Sequence, residues 1–482
     1  MCAVILWGVD LNKPKVYAYG AGAYFFKIAD ELKKKYEIVA VIDKNSSKQG
    51  QLVSGIPCIS NDVLRENGDV PIIITCIDER SIEEIREEIK RAKCIEKSIY
   101  SRNSENAKSD EVIVFGSIEE CRMLDIWIAC NTQETVISYC TMKYNEVGVD
   151  KPSGKQIVSY ISAQRMIREK TATKIISYIG TYDIEFVPYL FEQDIVQNHL
   201  YVFNDEIKGR YSSGWIQINE YRRIGCLQFM LTPSCNLNCK LCSYFSPLVK
   251  ESIFYDLNRF ESDLQRLRLY VDHIDSLDLW GGESLLCPDL PKYIYKAREY
   301  FPDSNINVGT NGLLLSNISD ELIYAMKKTK ARFLISVYPP LRNSFDKIFA
   351  GLKEKNIEYF AEYAHLSCDP DKTVFFRRYD LSGENNHVES WELCESKRCH
   401  TIFEGMISGC YFPIVSKYFN EYFDGQFFNT SDDVIDIYRN MSTKEFLSFL
   451  RSPMNSCKYC HLPIYEKWKT IGKKSEISDW VI

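Results

Sequence analysis

The apolar residues near the start of the chain come in short, nearly solid runs. Residues 15–19, 38–42 and 71–77 are apolar at most positions, as expected of strands covered on both faces, where simple alternation is lost. Between them the spacing is helical: Phe25, Ile28, Ala29 and Leu32 follow the first run, and residues 81–92 follow the third. Strands alternating with helices predict a parallel sheet of the doubly wound type. The pattern then recurs. Glu111-Val-Ile-Val-Phe-Gly116 matches Lys15-Val-Tyr-Ala-Tyr-Gly20, and residues 135–139, 154–159 and 173–177 match residues 37–41, 55–60 and 70–74. Two tandem Rossmann-like units are therefore expected, at 1–105 and 106–208, followed by a polar linker over 209–224.

A strand over 226–231 opens the next region, and here the cysteines change the picture. The chain has 18 cysteines in 482 residues. Those up to Cys226 are widely scattered and read as small buried hydrophobes. Later ones gather in tight groups, the habit of metal sites rather than of a disulfide framework. No run is long enough for a membrane span. The start reads as no secretory signal, so a cytoplasmic protein is expected. Net charge is −7, with basic and acidic residues interleaved, which gives no electrostatic footprint for nucleic acid.

Cys235, Cys239 and Cys242 form C-x3-C-x2-C in one short loop. Three thiolates that close together can face one centre when the backbone wraps around it. The set suits a 4Fe–4S cluster with one iron left open; a three-cysteine zinc site with a distant fourth ligand is the alternative. Further on stand Leu277-Asp-Leu-Trp-Gly-Gly-Glu-Ser-Leu, then Ile306-Asn-Val-Gly-Thr-Asn-Gly312, then Phe333-Leu-Ile-Ser-Val337. In that order, residues 225–465 resemble the radical S-adenosylmethionine (radical SAM) superfamily.

The resemblance implies a partial (β/α)6 barrel over 225–393. It implies that the open iron binds S-adenosylmethionine, which an electron splits to a 5′-deoxyadenosyl radical. Gly281 and Gly282 are expected to let the backbone approach the methionine moiety. Glu283 is expected to accept from its ammonium, and Thr310, Asn311 and Ser336 to contact ribose or carboxylate. Leu241 departs from the aromatic residue usual before the third cysteine, and the glycine-rich fifth-strand motif is not evident.

Residues 394–482 hold a second group, Cys394, Cys399, Cys410, Cys457 and Cys460. Two β-type runs flank Glu404-Gly405, predicting a hairpin whose register sets Cys399 directly opposite Cys410. The region resembles the Twitch or SPASM extension of radical SAM enzymes. That implies an auxiliary 4Fe–4S cluster on Cys399, Cys410, Cys457 and Cys460, with Cys394 the alternative to Cys399; a four-thiolate zinc site is the competing reading. A full thiolate set would make this cluster an electron relay, so an oxidoreductase is expected; the N-terminal units resemble the Rossmann-like domains attached to bacterial sugar-modifying enzymes, which implies a sugar, aminocyclitol or glycan precursor as substrate. A peptide maturase is the alternative activity, and a metal-binding docking module the non-catalytic one. A low-potential reductant such as flavodoxin or ferredoxin is the expected partner. Gly20 and Gly22, with Asp43 downstream, form an incomplete dinucleotide fingerprint and a candidate nucleotide site. His365, Glu362, Tyr363 and Arg377 lie where a barrel places substrate contacts, without assigned roles.

Overall fold

The computed structural model describes residues 13–482 except 68, 101–109, 181–186, 212, 363–373 and 473–474. The chain divides into two compact units, Met1–Asp183 with Leu190–Ile218, and Asn219–Ile482 with Ile184–Tyr189.

The first unit carries two sheets. One is built from β1 (Lys15–Tyr19), α1 (Ala23–Lys35), β2 (Glu37–Ile42), β3 (Leu52–Val53), β4 (Ile56–Ile59), β5 (Ile72–Ile74) and α2 (Glu79–Arg91). The other contains β6 (Glu111–Phe115), α3 (Ile118–Asn131), β7 (Thr135–Thr141), β8 (Gly148–Val149), β9 (Gln156–Ser159), α4 (Tyr160–Arg168) and β10 (Lys174–Tyr178). It continues through α5 (Gln193–Asn198), β11 (Leu200–Phe203), α6 (Asp205–Arg210) and β12 (Ile216–Gln217). The shared order is β4-β2-β1-β5 in one and β9-β7-β6-β10 in the other. They also share an irregularity: the register slips between Val16 and Tyr17 in the β1/β2 pair, and between Val112 and Ile113 in β6/β7. Those are the positions the sequence repeat equates, so the two sheets are copies of one Rossmann-like unit. Ile126 of α3 packs into the apolar core of the first copy with Phe25 and Ile28.

One expectation needs correction. The stretch read as a linker contains β12, which pairs antiparallel with β11. Its polar composition misled because Gln217 is buried and its side-chain amide donates to the Val196 carbonyl at 2.6 Å, while Trp215 packs against Trp127.

The second unit runs β13 (Arg223–Thr232), α7 (Leu257–Leu267), β14 (His273–Gly281), α8 (Leu290–Tyr300), β15 (Asn305–Thr310), α9 (Asp320–Thr329), β16 (Arg332–Ser336), α10 (Phe345–Glu354) and β17 (Tyr359–Glu362). These five strands are parallel neighbours in sequence order. Asp256 and Ser319 cap α7 and α9 by accepting the N–H groups of Arg259 and Leu322, satisfying donors that a helix start leaves open. Leu227, Phe229, Leu277, Leu279, Ile306, Val308, Phe333 and Ile335 alternate along the strands into one core, which leaves Gln228, Asp278 and Asn307 on the opposite face.

After β17 come β18 (Val374–Tyr379), α11 (His387–Glu392), β19 (Cys399–Phe403), β20 (Met406–Ser408), α12 (Phe412–Tyr422), β21 (Ile435–Asp436), α13 (Thr443–Leu450) and β22 (Cys460–Lys467). The sixth parallel strand of this partial barrel is β19, added beside β13, with β20 and β21 following it outward. β18 instead pairs antiparallel with β22.

Candidate active site and a second cysteine group

The three-cysteine loop leaves the end of β13. Its exit is anchored by Phe245, which is fully buried among Tyr379, Phe419, Phe428 and Trp480 at ring distances of 5.3–6.2 Å. Leu241 and Phe245 take left-handed backbone angles, φ 62° and 53°, which fold the loop back on itself. Cys235, Cys239 and Cys242 then line one cavity of ≈180 Å³ together with Gly281, Gly282, Thr310, Asn311 and Ser336. Eight of the nine residues that sequence motifs assign to this site thus line the same cavity.

The ninth, Glu283, stands apart. Its carboxylate is fully buried and accepts from the Thr310 hydroxyl at 2.7 Å and from the N–H groups of Leu285 and Asn311 at 3.1 and 2.8 Å. It does not line the cavity; it ties the turn after β14 to the turn after β15. Burial, partly offset by the three donors, raises its carboxyl above the ordinary value.

The two glycines also have a different reason than expected. Gly282 N–H donates to the Thr232 carbonyl at 2.7 Å and Glu283 N–H to the Ser234 carbonyl at 2.9 Å. A Cβ on Gly281 would lie 2.2 Å from the Thr232 carbonyl oxygen, and one on Gly282 would lie 2.2 Å from that of Ser234. Gly281 also has φ +142°. Glycine is required because the end of β14 is threaded against the cysteine loop.

Four further residues complete the site. Trp280 and Tyr338 wall the cavity. Gly309 lies flat against Trp280, whose ring an added Cβ would meet at 2.2 Å. Trp468 directs its indole N–H at the Cys239 sulfur, 3.3 Å away. Trp280 and Gly309 sit inside the recognised motifs; Tyr338 and Trp468 carry no local signal.

Burial pushes the Cys235 thiol up to about 12 and raises Cys239 and Cys242 as well. Bound iron reverses such a preference, since a coordinating thiol is deprotonated outright. Among the described residues, no group of three or more His, Cys, Asp or Glu is arranged to hold a metal ion as it stands. The three thiols border a space rather than converge on a point. Soft thiol donors around a cavity, with the Leu237 N–H at 3.4 Å and the Asn311 amide at 3.7 Å from Cys235, fit a cluster held at three corners.

No family model matches the chain. Curated relatives do. The GTP 3′,8-cyclase of Sulfurimonas denitrificans is 31% identical over 218 residues, covering 39% of this chain and 67% of the relative. The chain belongs to the radical SAM family. The GTP 3′,8-cyclase of Nautilia profundicola is 29% identical over 140 residues, covering 28% of this chain and 44% of that protein; the chain thus spans under half of that relative. Among solved structures, BtrN in complex with AdoMet and 2-DOIA is 16% identical with a TM-score of 0.32, covering 50% of this chain and 93% of BtrN. Membership implies S-adenosylmethionine and a 4Fe–4S cluster as cofactors.

The second cysteine group departs from the expected pairing. The hairpin forms with its turn at Glu404-Gly405, and Thr401, Ile402 and Phe403 pair with Ser408, Ile407 and Met406. That is the anticipated register, but β20 ends at Ser408. Gly409 then passes against Met454, and Cys410 leads away towards α12. Cys399 instead lies beside Cys226 in the parallel β13/β19 register. Hydrogen bonding to Cys399, together with burial, raises the Cys226 thiol, which also contacts Asp278 at 3.5 Å. Cys394, Cys410, Cys457 and Cys460 are the four that come together, closing around a cavity of ≈20 Å³ with Trp391 and Met454. The Asp433 carboxylate fixes the turn before Cys457 by accepting from Asn455 and Ser456 at 3.0 and 2.5 Å. Tyr244 of the first cavity stacks on Tyr411 of the second at 4.7 Å and 16°.

In the first unit, Gly20 (φ +116°) passes Cys76 so closely that a Cβ would meet its sulfur at 2.4 Å. The next N–H, of Ala21, donates to Asp43 at 2.8 Å, and Lys48 bridges Asp43 and the Ala21 carbonyl. Asp43 is thus engaged by its own loop. In the second copy Glu120 closes a capping box with Ser117 at the equivalent helix start. His365, Tyr363, Cys2 and Cys368 lie outside the described residues, as do the side chains of Glu362 and Arg377.

Proposed function

We propose that the second unit reductively cleaves S-adenosylmethionine at Cys235, Cys239 and Cys242 and uses the product to take hydrogen from carbon of a small polyhydroxylated substrate, a sugar, aminocyclitol or glycan precursor, with net oxidation. The observation that carries this is the shared cavity, lined by the three thiols together with Gly281, Gly282, Thr310, Asn311 and Ser336. When bound, the cluster and S-adenosylmethionine supply a 5′-deoxyadenosyl radical, and the protein's part is to hold and shield.

Cys235, Cys239 and Cys242 hold the cluster by thiolate. Asn311 steadies the loop through its amide on the Asn236 side chain at 2.6 Å. The Thr310 hydroxyl donates to Glu283, which keeps its oxygen facing one way. Trp280 and Tyr338 exclude water from the cavity walls. Cys394, Cys410, Cys457 and Cys460 are the preferred ligands of an auxiliary cluster, Cys394 replacing Cys399. Four thiolates leave no open corner there, which favours electron uptake over substrate binding and therefore dehydrogenation.

The relatives' names favour a second reading, in which the substrate is a guanine nucleotide as in GTP 3′,8-cyclase. Anaerobic incubation with reductant, S-adenosylmethionine and either polyols and aminocyclitols or GTP separates them by mass spectrometry. Formation of 5′-deoxyadenosine with a two-hydrogen loss from a polyol supports the first reading. Consumption of GTP alone supports the second. Normal turnover by Cys239→Ala refutes both.

A further inference from the structure

The chain that follows β22 lies directly on the three-cysteine loop. The Lys240 N–H donates to the Lys469 carbonyl at 2.9 Å, and the Ile471 N–H donates to the Asn238 carbonyl at 2.8 Å. Cys239 and Thr470 form an antiparallel bridge, and the Lys240 ammonium pairs with Asp479 at 3.0 Å. Trp468 heads this segment, packs with Leu237, Leu241 and Tyr338, and aims its indole N–H at the Cys239 sulfur at 3.3 Å. Cys239 is buried, while Lys469 and Thr470 outside it are exposed. The anchor of the segment is β22, held along its length by β18 and at its start by the Ser390 hydroxyl on the Cys460 carbonyl.

We propose that residues 468–471 are a built-in cap on the cluster-holding loop, and that Trp468 is a positioning residue which tunes the metal group through an N–H···S bond to Cys239. This rests on the reading that Cys235, Cys239 and Cys242 hold a cluster. The physical reason is direct. Reduction adds negative charge that spreads onto the thiolate sulfurs, and a donor aimed at one of them stabilises the reduced state more than the oxidised one. The donor therefore raises the reduction potential, and the strand over it keeps solvent and oxygen from the sulfur. Cys242, by contrast, is served by N–H groups of its own loop, those of Tyr244, Phe245 and Ser246, and Cys235 by Leu237 and by Asn311 at the end of β15, whereas the side-chain donor at Cys239 comes from the segment after β22.

The test compares wild type, Trp468→Phe and Trp468→His after anaerobic reconstitution, in a Cys410→Ala/Cys457→Ala background where only the first group reports. Iron content, the midpoint potential from an EPR-monitored redox titration, and the rate of visible bleaching in air are read. Trp468→Phe keeps the ring and loses the donor; it takes up as much iron as the parent, shifts the midpoint to more negative potential and bleaches faster. Trp468→His, which restores an N–H, recovers part of the shift. A midpoint for Trp468→Phe equal to the parent's, at equal iron content, overturns the proposal. Iron content unaffected by Cys239→Ala, measured alongside, instead overturns the underlying assignment of the cluster.

Discussion

Gly282→Ala separates two reasons for the glycine pair. If glycine is there to admit a ligand, the substituted protein folds normally and only cofactor binding suffers. The structure gives the other answer, because the new methyl group would sit 2.2 Å from the Ser234 carbonyl oxygen. Ordinary contact begins near 3.4 Å, so backbone must move by about an ångström, which costs roughly 1–3 kcal/mol as overpacking. The movement also stretches the bonds from Gly282 to Thr232 and from Glu283 to Ser234, each worth about 0.5–1.5 kcal/mol. Together these predict a loss of about 2–6 kcal/mol for the second unit before any cofactor is added. Urea unfolding of the unreconstituted protein measures it as a lowered midpoint at unchanged slope. A midpoint equivalent to within about 0.5 kcal/mol of wild type, the range of neutral surface changes, refutes the reasoning and returns the glycines to a ligand-clearing role.

Other outcomes follow from the same geometry. Cys394→Ser lowers iron bound at the second group while Cys399→Ser leaves it unchanged, as iron quantitation after reconstitution will show; the reverse result restores the hairpin pairing. Gly20→Ala, blocked by the Cys76 sulfur and by its left-handed backbone, destabilises the first unit by more than about 1 kcal/mol yet leaves iron uptake by the second intact. The Glu283 carboxyl, raised by burial, contributes stability that is full below its unfolded pKa and is lost as pH rises through the folded value. Wild type therefore loses more stability over that window than Glu283→Gln, which has nothing to ionise there; parallel urea midpoints across the pH range contradict this.

Features carried by local pattern were legible in the sequence. Solid apolar runs gave the parallel strands, and even the shared register slip at Val16 and Val112 falls where the repeat aligns them. The three-cysteine spacing and the strand-end motifs located one wall of the cavity. What failed was whatever depends on where a chain goes after its pattern stops. The hairpin register around Glu404-Gly405 was correct, but one residue beyond Ser408 the strand bends and carries Cys410 away from Cys399. The internal donors of Glu283 were not legible, because a carboxylate in a strand-end motif looks the same whether it faces a ligand or three groups of its own chain. Trp468 was invisible, since its meeting with Cys239 spans 229 positions and no periodicity reports such a contact.

The cofactor wall is drawn from three strands in succession, β13, β14 and β15, with Ser336 at the end of a fourth. Among the described residues, the margins of the same sheet, β17 on one side and β19 to β21 on the other, contribute none of it. Such a layout divides labour within one scaffold: the centre is locked by backbone threading that tolerates almost no added atom, while the flanking strands serve the core without lining the cavity. Substitutions at the margins are therefore expected to leave the cavity's shape intact, whereas added atoms at Gly281, Gly282 or Gly309 are not.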